Sequence, residues 1–331
     1  LMAGVRNLAA NHRGKYLPYI LNQSLLDWLQ GSITEGVVKE GAFIWRGSLR
    51  RGLREARTVQ LFFDVANTSL EYHADWPPVT DMHGLVLIDD TDVSIWSERA
   101  QLYNTGVDFL SAEAWVEDSG QVSLQLDTSM QGQAADGLRV VRESPLNELT
   151  DEAFGEWRLQ GELETDLSLQ LNLNDVGAAP QVNLQARPRD AELLILPGDL
   201  QVHGINGQLE YSRERGFSSS ALVGELWGQP MQVGVAQVHR GDAYDPATSS
   251  LQVSTELDVA MTDLQQWLAH LPLDFMQGRT RAAVSIEAPP GQGPVVRVRS
   301  DLRGVTLDLP QPFAGGPGGR RPLSLDCLLY T

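Results

Sequence analysis

The sequence predicts a mainly β protein built from antiparallel hairpins, with a few short amphipathic helices. Apolar and polar residues alternate strictly in segments such as Leu167–Leu173 (LSLQLNL), which is the period of a strand with one apolar face. Most such segments are short and end at Gly, Pro, Asn or Asp, residues typical of tight turns. A Leu-x-x-Trp-Leu helical segment followed by glycine-punctuated strands also occurs twice.

Two helical segments mark the repeat. The first lies in Leu17–Gln30, has apolar residues at helical spacing and is followed by Gly31. The second runs from Leu264 to Leu268. As parts of amphipathic helices, Trp28 and Trp267 are expected to be core residues. The alternative is that they pack a helix into the mouth or edge of a groove, so that the helix covers an otherwise open sheet.

From Val37 onward the hydrophobic period falls to two. The longest segments are each expected to hold two strands around a turn or bulge, and Leu138–Phe154 is predicted to be a short helix or an exposed loop. The predicted strands are Gly41–Arg46, Thr58–Val65, Ser69–His73, Gly84–Ile88, Val93–Trp96, Ala100–Tyr103, Val107–Val116, Val122–Met130, Gly155–Leu173, Val182–Arg187, Ala191–Leu196, Gly207–Tyr211, Ser218–Trp227, Met231–Val238, Leu251–Met261, Ala282–Ala288, Val295–Leu309 and Leu323–Tyr330.

We therefore expect three parts along the chain. These are an amphipathic helical segment (residues 1–36), a repeated β-hairpin region (37–262) and a second helix-plus-strand repeat (263–331). Because the sequence starts without methionine and ends in a strand-like segment, we expect it to be an internal piece of a longer protein.

Composition excludes several classes of function. The 331 residues include 25 basic and 43 acidic ones, for a formal charge of -18, which argues against a nucleic-acid partner. Apolar runs are no longer than those at Leu85–Ile88, far short of the ~20 residues of a membrane-spanning helix. A lone cysteine, Cys327, cannot form an internal disulfide.

Alternating strands with one apolar face define the candidate functional residues. Because side chains alternate across a strand, every second residue of such a segment shares a face. In a closed sandwich this face is core, whereas in an open groove it meets acyl chains. The candidates are Val122, Leu124, Leu126, Leu167, Leu169, Leu171, Leu173, Leu251, Val253, Leu257 and Val259, and Thr255 falls in the last set.

Three phrases resemble a known family. They are Val59–Tyr72 (VQLFFDVANTSLEY), Leu200–Tyr211 (LQVHGINGQLEY) and Leu302–Phe313 (LRGVTLDLPQPF). Together with the Leu-x-x-Trp-Leu helices, they resemble the YhdP family of the AsmA-like proteins of Gram-negative bacteria, which also include TamB. The resemblance covers nearly the whole chain and corresponds to the central periplasmic region of that family.

The resemblance implies a fold, a location and a cargo. The fold is a long, curved, mostly antiparallel sheet that forms an open hydrophobic groove. The location is the periplasm, with an inner-membrane anchor in the full-length protein. The cargo is phospholipid moving toward the outer membrane, in outer-membrane biogenesis. It implies no cofactor, and the cell-envelope proteins that act as partners are unknown.

A catalytic or metal site is not predicted. The sequence has no Gly-x-Ser-x-Gly motif, phosphate-binding loop or dinucleotide fingerprint, and its six histidines are scattered. Two functions remain: a lipid-conducting β groove, and a structural or adhesin-like sandwich or solenoid whose apolar face is closed core. The cluster Arg46–Arg57 is expected on a solvated loop or edge, with a lipid-headgroup contact as the alternative.

Overall fold

The computed structural model describes residues 1–9, 30–47, 57–72, 75–144, 156–173, 180–196, 199–239, 245, 248–289 and 295–328. Over these residues the chain forms 18 strands assigned to one antiparallel sheet, together with two α-helices of seven or more residues. The prediction of a mainly β, antiparallel fold with short helices is confirmed.

The chain divides into two compact units. Unit 1 comprises Leu1–Leu146 and Glu164–Leu184, and unit 2 comprises Asn147–Leu163 and Gln185–Thr331. Strands β8 (Arg158–Asn172) and β9 (Gln181–Ile195) each contribute residues to both. The predicted three-part division remains a prediction, although Met2–Ala9, inside its first part, forms a strand.

Unit 1 is a meander of antiparallel strands in which each strand pairs with the next along the chain, as alternating segments separated by short turns should. A helix follows its last complete strand without a loop. The elements are β1 (Met2–Ala9), β2 (Ile33–Gly47), β3 (Arg57–Leu70), β4 (Val79–Asp89), β5 (Asp92–Leu102), β6 (Thr105–Val116), β7 (Val122–Gln133) and α1 (Ala134–Glu143).

Unit 2 repeats the antiparallel pattern and also has a helix directly after a strand. Near its end, β15 pairs with both β16 and the short β17, and β16 pairs with β18. The elements are β10 (Leu200–Asn206), β11 (Leu209–Ser212), β12 (Gly216–Leu226), β13 (Gln229–Val238), β14 (Ser250–Ala260), α2 (Met261–Trp267), β15 (Met276–Ala288), β16 (Val295–Ser300), β17 (Val305–Leu307) and β18 (Leu323–Leu328).

Several strands are longer than predicted because residues with turn-like backbone angles lie inside them, in a bulge at Asn67 and within an uninterrupted strand at Asp190. Ser69 and Leu70 continue β3 past Asn67, which has a φ of 50°, and β9 runs uninterrupted through Asp190, at a φ of 47°. In β9 the Asp190 N–H donates to Asn206 Oδ1 on the next strand, at 3.0 Å. A bulge places an extra residue without ending the strand, so the predicted breaks at these positions were wrong.

The expectation of two strands within Gly155–Leu173 was also wrong. β8 is a single strand over Arg158–Asn172. Gly161 absorbs the irregularity, with a φ of 100° and so close to β9 that a Cβ there would lie 2.7 Å from Ala191 Cα. Only glycine meets both requirements at low cost. By contrast, Val295–Leu309 does hold two strands, β16 and β17.

The helices follow the predictions in part. The second Leu-x-x-Trp-Leu segment overlaps α2, which ends at Trp267. The first segment, with Trp28, lies outside the described residues except for Gln30, which is helical together with Gly31 and Ser32. Helix α1 overlaps the start of the predicted Leu138–Phe154 element, whose remainder from residue 145 is outside the described residues. Most of the arginine cluster also lies outside them.

Candidate functional site: the apolar face of the strands

The register between β6 and β7 places the first group of candidates on one face. Val122, Leu124 and Leu126 lie directly opposite Val116, Ala114 and Ala112. Directly opposite residues of an antiparallel pair share a face. This face therefore carries a continuous apolar surface across the two strands.

Strand β8 adds four leucines to this face in unit 1. Its register on β7 follows from the Leu173 N–H, which donates to the Val122 carbonyl at 2.7 Å. The Gln125 amide donates to the Ser168 hydroxyl at 3.1 Å, so the polar residues of both strands share the other face. We name the following seven predicted residues the half-open edge: Val122, Leu124, Leu126, Leu167, Leu169, Leu171 and Leu173.

The opposite face of the same strands is polar and internally hydrogen-bonded. Gln125 Nε2 donates to both carboxylate oxygens of Asp127, at 3.2 and 3.0 Å. Ser123 donates to Glu117 on the preceding turn. Polar side chains that hydrogen-bond one another can still bond to water through their remaining lone pairs. Acyl chains offer no hydrogen-bond donor, so contact with them would leave those lone pairs without a partner. The two faces therefore differ in what they can bind.

Burial changes sharply across the apolar face of unit 1. In the centre, Leu61, Ile88 and Val93 lie opposite one another and are buried, with Ile88 at 0% exposure. These residues belong to one hydrophobic cluster made mainly by β3 to β6. On the half-open edge, Leu124 and Leu169 are only half-buried and Leu173 is 51% exposed. Leu126 of the half-open edge still packs against the central cluster, so the face passes from closed core at the centre to a partly exposed surface at the edge.

The apolar face of unit 2 centres on β14. Leu251, Val253, Thr255, Leu257 and Val259 alternate on one face of this strand, as predicted. Their direct neighbours on β15 are, in the same order, Ala288, Ile286, Val284, Ala282 and Thr280. On β13, the residues opposite Leu251, Val253 and Thr255 are Gln237, Val235 and Val233.

One end of this face is covered, and we name it the covered end: Leu257, Val259 and Ala282. All three are buried, Leu257 at 4% exposure. They pack in a cluster with Met261 and Leu264 of α2, and with Leu302 and Val305 at β17. Helix α2 is tied down by Gln265, whose amide donates to the carbonyls of Leu273 and Met276 at 2.9 and 2.8 Å.

The other end is not covered in the same way, and we name it the open end: Leu251, Val253, Ile286, Val296 and Leu325. The pairings of β14 with β15, of β15 with β16 and of β16 with β18 put them on one face. None of the five belongs to the buried cluster of unit 2, and Leu325 is 48% exposed. An apolar surface spanning four strands is therefore accessible there.

Helix α2 uses a tryptophan pair as part of its contact. The rings of Trp267 and Trp227 lie 5.8 Å apart, tilted by 53°. Trp267 is 37% exposed, so it packs the helix against the sheet and is not a core residue. The expectation of a core position for Trp267 was therefore wrong, and its contact at the edge of a groove stays a prediction.

Helix α1 of unit 1 docks instead through polar contacts. The backbone N–H of Asn104 and the hydroxyl of Thr105 donate to Asp136 at 3.0 and 2.9 Å. Glu143 accepts from Arg139 at 2.8 Å and from the Tyr103 hydroxyl at 2.7 Å. The Arg139 bond, and then the Tyr103 bond, lower the pKa of Glu143, whereas burial and Glu143 raise the pKa of Tyr103 to about 12.

The described residues also form a concave surface on the polar side of the sheet. A depression of about 1140 Å³ lies on the polar face of unit 2 and is lined by Gln232, Ser254, Glu256, Arg281, Arg297 and Arg299 among others. Arg281 pairs with Glu256 at 2.8 Å. Most of its lining residues belong to the polar face, and Val233, Thr255 and Val284 of the apolar face also contribute to the lining.

Within the described ranges, no group of three or more His, Cys, Asp or Glu is arranged to hold a metal ion. Nor is any helix in them long and apolar enough to cross a membrane.

Sequence reasoning missed part of both surfaces. In unit 1 it overlooked the aromatic residues Phe43 and Trp45 of β2, which pack against the central cluster. In unit 2 it overlooked Ile286, Val296 and Leu325, although each lies in a predicted strand with period-two alternation. Pairing the predicted strands in chain order would have placed Ile286 and Val296 in the row of Val253. Leu325 could not be placed in this way, because β18 pairs with β16 and not with β17, which precedes it in the chain.

Comparison with protein-family models gives a match to the model described as YhdP protein, over residues 1–328. Comparison with curated proteins gives no match, and neither does comparison with solved structures.

Proposed function

The chain belongs to the YhdP family, and we propose that it conducts phospholipids between the inner and outer membranes along the apolar faces of its sheet, without catalysis. The half-open edge of unit 1 supports this most directly. There, seven aliphatic residues of two adjacent strands share a face that is not fully buried, while the opposite face is polar.

The energetic requirement for such a path is large. Each methylene group exposed to water costs about 0.8 kcal/mol, so a phospholipid with two long chains would face a barrier on the order of 20 kcal/mol in crossing water bare. A continuous apolar surface lowers this barrier by replacing water around the chains. A uniform surface also lacks a deep well, so the lipid diffuses along it.

A second function is favoured by a specific observation. Ile88 has no exposed surface and lies in a buried cluster, as in a closed core. If the whole apolar face behaves in this way in solution, the protein is a structural or adhesin-like component of the envelope. The two functions differ in whether the half-open edge and the open end contact lipid.

Location and partners follow from the family and belong to the same proposal. The proposed site of action is the periplasm of a Gram-negative bacterium, with an inner-membrane anchor in the full-length protein. The proposed cargo is phospholipid, and the proposal includes no nucleic acid, metal or cofactor. Envelope proteins are the expected partners at the two membranes.

Native mass spectrometry of the purified chain tests the proposal. The wild type should carry phospholipid, and Leu251→Asp should carry much less because it puts a charge on the open end. Gln252→Asp is the matched control, since Gln252 is the next residue on β14 and lies on the polar face. Wild-type protein that is reproducibly free of lipid, even after incubation with phospholipid, would contradict the proposal.

A further inference from the structure

Two unpartnered polar atoms lie on the apolar face of unit 2. Among the described residues, Thr255 Oγ1 and Gln237 Oε1 are both buried and lack a hydrogen-bond partner. Their strands place both side chains on the apolar face, Gln237 opposite Leu251 and Thr255 opposite Val233. Buried polar atoms of folded proteins nearly always have a partner, so each of these atoms needs an explanation.

The hydroxyl of Thr255 lies among apolar side chains. Val233 and Val284 lie directly across from it on the two neighbouring strands. Along β14, the next residues on the same face are Val253 and Leu257. All four neighbours are aliphatic, so their side chains offer the hydroxyl no acceptor.

Thr255 also marks the boundary between the two ends of the face. Val253, on one side, belongs to the open end and is half-buried. Leu257, on the other side, belongs to the covered end and is buried. Thr255 is therefore the last residue of β14 that an acyl chain lying on Leu251 and Val253 would reach before α2 and β17 cover the face.

The chemistry of threonine limits which group of a lipid can bind at this position. A hydroxyl donates one hydrogen bond, so its natural partner on an apolar surface is a carbonyl oxygen. The Thr255 side chain is only half-buried, and rotation about its Cα–Cβ bond exchanges the hydroxyl with the methyl group. This rotation presents the donor to a ligand on the face without moving the backbone.

We propose that the Thr255 hydroxyl donates a hydrogen bond to an acyl-ester carbonyl of the lipid that occupies the open end. The lipid class selected is therefore an ester-linked diacyl phospholipid, as opposed to an ether-linked one of the same shape. This selection rests on the proposed lipid-conducting function. In the dry surroundings of acyl chains, the bond is stronger than it would be in water.

A competition experiment tests the selection. The purified chain is incubated with equal amounts of two phosphatidylglycerols of matched chain length, one ester-linked and one ether-linked, and occupancy is read by native mass spectrometry. The wild type should favour the ester-linked lipid by about three- to tenfold, the range of one hydrogen bond. Thr255→Val keeps the shape and removes the hydroxyl, so its ratio should fall to about one.

Two controls accompany Thr255→Val. Thr255→Ser keeps the hydroxyl and should keep the preference. Ser254→Ala removes a hydroxyl from the neighbouring residue, which is exposed on the polar face, and should also keep it. Because Thr255→Val removes a buried hydroxyl with no partner, it should be at least as stable as the wild type in urea unfolding.

Three outcomes would overturn the inference, and they are distinguishable. Equal binding of both lipids by the wild type would overturn the ester contact while leaving the proposed function intact. Marked destabilisation by Thr255→Val would show that the hydroxyl has a partner within the protein. Binding of neither lipid by the wild type would contradict the proposed function itself.

Discussion

The two ends of β14 carry the same sequence pattern but different surroundings. Leu251 and Val253 at one end are half-buried and lie outside the buried cluster, whereas Leu257 and Val259 at the other are inside it. The side chains share one face of one strand. The difference arises from α2 and β17, which pack over the second pair. Alternation therefore determines the face of a residue, and the elements that follow determine whether that face is covered.

Unit 1 shows the same contrast across its strands. Ile88 and Leu61 in the centre are buried, while Leu124 and Leu169 at the half-open edge are half-buried. Its helix α1 docks through Asp136 and contributes no residue to the central cluster, unlike α2 in unit 2. A helix that follows a strand directly thus covers the apolar face only when its own apolar residues meet that face.

The largest effect on stability is expected at the covered end. Leu257→Ala should lower the free energy of unfolding by about 2–5 kcal/mol, because it leaves a cavity in a packed cluster. Leu251→Ala, at the open end of the same strand, should cost less than about 1.5 kcal/mol, since the removed atoms are already partly hydrated. Urea unfolding of the two variants measures both. Equal losses would show that the open end is also closed core.

Substitutions at the half-open edge should have the next largest effect, and this effect should be on phospholipid transport and not on folding. Leu169→Asp and Leu171→Asp should strongly impair phospholipid delivery to the outer membrane in cells that depend on the full-length protein. Each puts a carboxylate where acyl chains are proposed to lie. Gln170→Asp, on the exposed opposite face of β8, is the matched control and should behave like the wild type. Delivery that falls only in step with the amount of folded protein would favour the closed-core function.

The aromatic contact of α2 should have a smaller effect. Trp267→Ala removes a tilted ring pair with Trp227 and should lower the free energy of unfolding by about 1 kcal/mol. Phe313→Ala is the comparison variant, because Phe313 is largely exposed and its loss should change stability little. Thermal unfolding of the purified chains measures both. A Trp267→Ala variant as stable as the wild type would show that the contact with Trp227 does not stabilise the covered end.

The smallest effect concerns alkaline pH. Burial raises the pKa of Tyr72 from 10.0 to about 12. Because the folded-state pKa is the higher one, this group stabilises the fold fully below pH 10, and the contribution is lost as pH rises toward 12. Tyr72→Phe should therefore unfold less steeply than the wild type between pH 10 and pH 12, by circular dichroism. The same slope in both proteins would contradict a buried, neutral tyrosine.

Alternation predicted the faces of individual strands well. Within Val122–Met130, period-two spacing correctly separated Leu124 and Leu126 from Gln125 and Asp127. It did so because side chains of a strand point to alternate faces whatever surrounds them. The second Leu-x-x-Trp-Leu segment likewise gave a helix, since its apolar spacing fits only a helical period.

The alternation of apolar and polar residues could not predict how long each strand is or whether its apolar face is covered by other elements. Asn67, Asp190 and Gly161 resemble turn residues locally, but Asn67 lies in a bulge between neighbouring strands, and Asp190 and Gly161 have positive φ inside uninterrupted strands. Whether a bulge or a turn forms depends on strand pairing, which is non-local. Cover also depends on distant residues, because Leu257 is buried by Leu264 and Val305, and no property of β14 itself distinguishes Leu257 from Leu251.

Photo-crosslinking on β7 and β8 tests the central claim most directly. A photoreactive amino acid is placed at Leu124 or Leu169 on the half-open edge, and at Gln125 or Gln170 on the opposite face, in the full-length protein in cells. The proposed function predicts phospholipid adducts from the two leucine positions and few from the two glutamine positions. Equal labelling of both faces, or no lipid adduct at either leucine, would contradict it.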